Sequence, residues 1–153
     1  MGSEMCIRDS INSPLPDEAT LIYRHTNSHT VENIIRGMLE FSNNFMANQL
    51  FLSLAGSSDS ELKPVNFKQA SDYAQKRLTE LFAWPQFCVV EGSGLSRKNQ
   101  LSARQIDDLL VVLKPHKTLF KKNEHPSAEI YAKTGTLDGV RTFAGYILSL
   151  IHI

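Results

Sequence analysis

From residue 31 onward apolar residues recur at helical spacing: Val31, Ile34, Ile35, Met38 and Leu39, then Phe45, Met46 and Leu50. That rhythm traces one face of an α-helix. Thr30, just ahead of it, is a residue type that caps a helix by accepting a hydrogen bond from one of the first free amides. Ser42-Asn43-Asn44 interrupts the stretch, because short polar side chains compete for backbone hydrogen bonds and favour turns and caps. The pattern therefore predicts helical structure divided near Ser42–Asn44. Gly56 to Ser60 with Pro64 predicts a loop. Asn66, with Gln69 in the reciprocal capping position, opens a second helix whose apolar face is Phe67, Ala70, Ala74, Leu78, Leu81 and Phe82, with Pro85 marking the stop. Ser102 and Gln105 repeat that signature ahead of Ile106, Leu109, Leu110 and Leu113.

Elsewhere the period shortens. Leu21 to Tyr23 is an apolar run of strand type, and Phe87 to Val90 reads as a buried strand followed by the turn Gly92-Ser93-Gly94. Ile130 to Thr136 and Val140 to Ile147 read as two strands joined through Asp138-Gly139, a pair that tolerates the positive φ of a tight hairpin. Helices first and a terminal antiparallel hairpin last predict an α+β fold, with helices packed on an antiparallel sheet. A lone hairpin is marginal, so further strands are expected beside it.

Composition narrows the function classes. Sixteen Lys and Arg against sixteen Asp and Glu leave a formal net charge of zero, which argues against a nucleic-acid partner held through a clustered basic face. No apolar run approaches the roughly 20 residues of a bilayer span. His25 and His29 stand at helical spacing but lack a third ligand, so they read as surface histidines, like His116 and His125, and neither metal nor cofactor is expected. The two ends look foreign. Met5 to Ser10 (MCIRDS) and Leu148 to Ile153 (LSLIHI) can be encoded by opposite strands of one DNA stretch that resembles a sequencing-library adapter. Residues 1–10 and 148–153 are therefore expected to be non-native, and residues 11–147 to be part of a longer natural chain. Cys6 falls in the first scar, which leaves Cys88 as a small hydrophobe with no disulfide partner.

Three short stretches carry chemistry. Ser42-Asn43-Asn44 fits S-x-N, Lys133-Thr134-Gly135-Thr136 fits K-T-G-[ST], and Glu91-Gly92-Ser93-Gly94-Leu95-Ser96-Arg97 lies between them. The first two belong to the motif set of penicillin-binding proteins and β-lactamases, which also needs S-x-x-K for the nucleophile. A strand would set the Lys133 ammonium and a hydroxyl beside a backbone edge able to pair with an extended peptide, the cation neutralising a terminal carboxylate. Gly135, having no Cβ, would let a substrate backbone approach. Ser42 and Asn44, two apart at a helix break, can both reach into a cleft and hold a proton-transfer chain. The Gly-Ser-Gly turn reads as structural.

The phrases MLEFSNNFMANQL, EGSGLSRKNQLSA and YAKTGTLDGVRTFAGYI resemble, in sequence and order, the second half of the low-molecular-mass D-Ala-D-Ala carboxypeptidases/endopeptidases of the penicillin-binding protein 4 type. The resemblance covers most of Leu21 to Ile147 and implies a partial β-lactamase/transpeptidase-like domain. It also implies acyl transfer on peptidoglycan stem peptides ending in D-Ala-D-Ala, through a serine acyl-enzyme in the periplasm or cell envelope, with β-lactams as inhibitors of the full-length enzyme. Carried over by position, Ser42 would relay protons and Asn44 would hydrogen-bond the substrate or the catalytic lysine. Lys133, Thr134 and Thr136 would bind the carboxylate, and the Thr136 N–H would form one arm of the oxyanion hole. Two departures stand out. No S-x-x-K precedes Ser42; the only match, Ser60-Glu61-Leu62-Lys63, follows it in a loop and reads as a decoy. The stretch from Ser96 to Lys133 is also shorter than in many relatives, which implies a missing loop-and-hairpin insert. Two alternatives stay open: a β-lactamase or esterase of the same fold, which an additional deacylation base in the full-length gene would mark, and a noncatalytic relative acting as a binding protein, which the lack of any S-x-x-K ahead of Ser42 would mark.

Overall fold

The computed structural model describes residues 18–20, 22–23, 26–56 and 65–149. The decoy Ser60–Lys63, His25, Cys6 and residues 1–10 and 150–153 lie outside these. So does Leu21; Ile22 and Tyr23 do not form the expected strand, and Ile22 is 96% exposed.

The first helical stretch is two helices, as the polar break requires: α1 spans Val31–Phe41 and α2 spans Asn44–Gly56. Thr30 caps α1 by accepting from the Asn33 amide, and Ser42 ends it in the left-handed region at φ 51°. Asn43 then starts α2, its Oδ1 accepting from the Met46 amide at 3.0 Å. Helix α3, Phe67–Phe82, carries the full capping box of Asn66 with Gln69, and α4, Ala103–Leu113, that of Ser102 with Gln105. Each box satisfies two otherwise orphaned groups with side chains already at hand. Asn66→Ala is expected to lower stability by about 1 kcal/mol, measurable as a reduced urea midpoint with an unchanged slope.

The core lies where α2 and α3 meet: Phe51, Ala70 and Ala74 are buried, with Leu52, Ala55, Val65 and Val89 packed around them. Small alanines on α3 let the helices approach closely. The α3 face is narrower than its sequence pattern, since Leu81 is 63% exposed and Phe67 also faces outward. Phe87–Val90 is not a strand; among the described residues Cys88 pairs with Gln100 alone, in one isolated bridge. Its neighbours meet side chains instead, the Val90 amide donating to Asn99 Oδ1 and Ser71 Oγ donating to the Val89 carbonyl. Cys88 itself is half-buried and free.

After a 3₁₀ segment, Lys114–Leu119, three antiparallel strands follow in the order β1 (Lys122–His125), β2 (Ala128–Leu137), β3 (Val140–Ser149). Gly139, at φ 71°, closes the two-residue β2–β3 turn. The sheet is tied to the helices by Tyr146 Oη, which donates to the Leu110 carbonyl at 2.6 Å, and by the edge-on contact of Phe120 with Tyr146. Arg36 of α1 donates to the Thr118 carbonyl at 2.7 Å, holding the 3₁₀ segment against that helix. The architecture is α+β.

Candidate active site

Strand β1 pairs only with Ala128 to Tyr131 of β2. Beyond that, one margin of β2 has no partner strand among the described residues, while β3 covers the other margin through Leu137. The Ala132 amide still reaches back to the Lys121 carbonyl at 3.2 Å. Backbone groups on a strand alternate in direction with a period of two, so the amides and carbonyls of Thr134 and Thr136 face that same open side. The Lys-Thr-Gly-Thr run thus starts where the sheet's outer edge becomes free.

Side chains alternate across the sheet as well. Lys133 and Gly135 share the face that Tyr146 presents to α4, whereas Thr134 and Thr136 lie on the other, exposed face. Lys133 spans the gap between sheet and helices. Its Nζ donates to Ser42 Oγ at 2.6 Å and to the Thr134 carbonyl at 2.6 Å. Residues 91 apart in sequence are thereby joined through one charge-assisted bond. Because the serine oxygen accepts from lysine, its own proton is left to be donated elsewhere.

A cleft of about 810 Å³ opens over this pair. Ser42, Asn44 and all of Lys133 to Thr136 line it, so the structure brings the six sequence-predicted residues to one place. Asn44 stands in the first turn of α2 with its side chain exposed. For Gly135 the geometry differs from the sequence expectation: a Cβ there would lie 2.4 Å from Thr142 Oγ1. A larger residue at 135 would have to displace the Thr142 hydroxyl on the neighbouring strand, before any ligand is considered.

The wall facing β2 is formed by Gly92 to Arg97, in keeping with the structural role near the site expected of the Gly-Ser-Gly turn. Both oxygens of the Glu91 carboxylate accept hydrogen bonds from the loop it begins. One takes the Ser93 amide at 2.7 Å and also the Ser93 hydroxyl; the other takes the Ser96 amide at 3.1 Å and Asn99 Nδ2 at 2.6 Å. Partial burial pushes the Glu91 pKa up, but these donors outweigh it and hold the carboxyl below its usual range. Asn48 of α2 accepts from the Gly92 and Ser93 amides at 2.9 and 3.1 Å. At the loop's far end Arg97 donates to the Asp138 carbonyl in the β2–β3 turn at 2.6 Å. Among the described residues no cluster of three His, Cys, Asp or Glu side chains could hold a metal ion.

A family model described as the D-Ala-D-Ala carboxypeptidase 3 (S13) family matches residues 7–122, which include Ser42, Asn44 and the wall loop. Two solved structures of penicillin binding protein 4 (dacB) from Haemophilus influenzae share the fold, with TM-scores of 0.65 and 0.64 and 21% sequence identity in each case. The second is complexed with a novel beta-lactam. The matches cover 75% of this chain but only 30% and 31% of those proteins. No curated protein sequence matches the chain.

Proposed function

Since the chain belongs to the D-Ala-D-Ala carboxypeptidase 3 (S13) family, we propose that it supplies the substrate-gripping half of a serine-type D-Ala-D-Ala carboxypeptidase acting on peptidoglycan stem peptides. The nucleophile comes from an S-x-x-K segment outside this sequence and ahead of Ser42. The observation that carries the proposal is the hydrogen bond from Lys133 to Ser42 at the mouth of a free strand edge.

An extended peptide laid along the open side of β2 meets the amides and carbonyls of Thr134 and Thr136, as an added strand does. Its terminal carboxylate falls near the Lys133 ammonium and the two threonine hydroxyls, charge and hydrogen bonds acting together. Attack by the serine on the penultimate D-alanine carbonyl forms a tetrahedral oxyanion, which the Thr136 N–H stabilises; one such donor is typically worth about 3 kcal/mol. The lysine of the S-x-x-K segment takes the proton leaving the nucleophile, and Ser42 relays it to the departing amine of D-alanine, while the Lys133 ammonium holds the Ser42 hydroxyl in place and Asn44 holds the substrate or the S-x-x-K lysine. Water then resolves the acyl-enzyme. β-Lactams enter the same route as acylating inhibitors. A substrate of this kind places the enzyme in the periplasm or cell envelope.

The gene product that includes the S-x-x-K segment is expected to bind fluorescent penicillin covalently and to release D-alanine from a peptide ending in D-Ala-D-Ala. Residues 1–153 alone are expected to stay unlabelled. Labelling of the short chain at Ser60 would move the nucleophile to the decoy motif. A longer gene with no S-x-x-K ahead of Ser42 would end the enzyme reading and favour a noncatalytic binding protein.

A further inference from the structure

We propose that Glu91 is a positioning residue for acyl transfer, setting the wall of the cleft opposite the Lys133–Thr136 strand. This rests on the function proposed above and adds a residue to which that reading assigns no role. Glu91 stands at the centre of a brace. On one side Asn48 fixes the loop to α2, the helix that begins at Asn44. On the other side Arg97 fixes it to the turn of the hairpin that carries Lys133. Between these anchors the loop's shape is set by the four hydrogen bonds that Ser93, Ser96 and Asn99 give to one carboxylate.

The attachment to α2 leaves no slack. A Cβ on Gly92 would lie 2.5 Å from the Ala47 carbonyl oxygen and 2.8 Å from Phe51 Cβ, so the loop already rides in contact with the helix backbone. Moving the loop outward costs the Asn48 bonds, and moving it inward meets the helix. The position of one cleft wall relative to Ser42 and Asn44 thus depends on the Glu91 carboxylate keeping the loop folded. Displacements of an ångström at a reactive centre lower rates about a hundredfold, because near-attack geometry is lost.

The same bonds exclude a second role. A carboxylate serving as the water-activating base of deacylation needs a free oxygen facing the acyl group and a pKa raised toward working pH. Both Glu91 oxygens are occupied, and the hydrogen bonds lower its pKa. Glu91 acts through the loop.

The test uses the gene product containing the nucleophile segment, with acylation by fluorescent penicillin measured per titrated active site and deacylation followed separately. Glu91→Gln keeps the side chain's size but turns one acceptor oxygen into a donor facing Ser93. Acylation per site is expected to fall about tenfold or more, with deacylation unchanged. Asn48→Ala should act in the same direction, and the double variant should lose less than the product of the two, since both bonds hold one loop. Ser93→Ala removes a single donor and should fall between wild type and Glu91→Gln, which keeps the test open if the glutamine variant misfolds. Wild-type acylation rates per site with only a lower melting temperature would overturn the proposal, reducing Glu91 to a stability role. Wild-type acylation with a trapped acyl-enzyme would also overturn it, making Glu91 the deacylation base. If the wild-type enzyme itself takes no label, the function reading falls and this inference falls with it.

Discussion

Lys133→Ala in the nucleophile-bearing enzyme is expected to lower the second-order rate of penicillin acylation about 10³-fold, while leaving the folded state almost intact. The alanine removes the ammonium that donates to Ser42 Oγ and to the Thr134 carbonyl. A hydrogen bond to a charged group is typically worth about 1.5–3 kcal/mol, so losing the ammonium's bonds to Ser42 and to the substrate carboxylate together makes about 10³-fold the expectation. Stopped-flow fluorescence with labelled penicillin gives the rate, and thermal melting checks the fold. Lys133→Arg should not restore it: the guanidinium is wide and planar, so it cannot take the place of a compact ammonium that donates to both Ser42 Oγ and the Thr134 carbonyl. A loss of less than tenfold in Lys133→Ala would remove Lys133 from the substrate-gripping site.

The largest effect on stability is expected at Gly145, which faces Ala132 across the β2–β3 ladder. A Cβ there would lie 2.1 Å from the Tyr131 carbonyl oxygen and 2.5 Å from Ala132 Cα. Those are backbone atoms and cannot swing aside as a side chain does, so the strands themselves must part beside Lys133. Gly145→Ala should cost about 3 kcal/mol, at the upper end of what overpacking does, measured by urea unfolding. Gly37→Ala is the control: a Cβ there meets nothing within 4 Å, and in the interior of α1 it should raise stability by about 0.5–1 kcal/mol. A Gly145→Ala chain as stable as wild type would mean that the two strands have room to adjust.

How much of this was legible in the sequence depended on how local the cause is. The capping boxes at Asn66 and Ser102 need only a residue and its third neighbour, and both form as the sequence predicts. The Asp138-Gly139 hairpin is equally local. By contrast Lys122-Asn123-Glu124-His125 has no apolar alternation, and it is a strand only because β2 lies alongside to pair with it. Phe87–Val90 is the converse case, β-rich in composition yet paired through one bridge. The site divides the same way. Ser42, Asn44 and Lys133 belong to spaced motifs that can be picked out one at a time, and the fold then sets Ser42 against Lys133. The attachment of Asn48 to Gly92 is a tertiary contact between ordinary polar residues, and the exposure of Phe143 and Ile147 on the outer sheet face likewise has no signature in strands that look uniformly apolar.

Ser42 ends α1 in the left-handed region, with φ 51° and ψ 46°. Glycine fits that conformation without strain, whereas a residue bearing a Cβ pays about 1 kcal/mol or more to remain there. The most stable residue for closing this helix and the residue that meets Lys133 are therefore different. Replacing the serine with glycine would tighten the scaffold and remove the hydroxyl that meets Lys133 in the same step, so under the proposed function a screen for heat resistance alone would select against catalysis at this position.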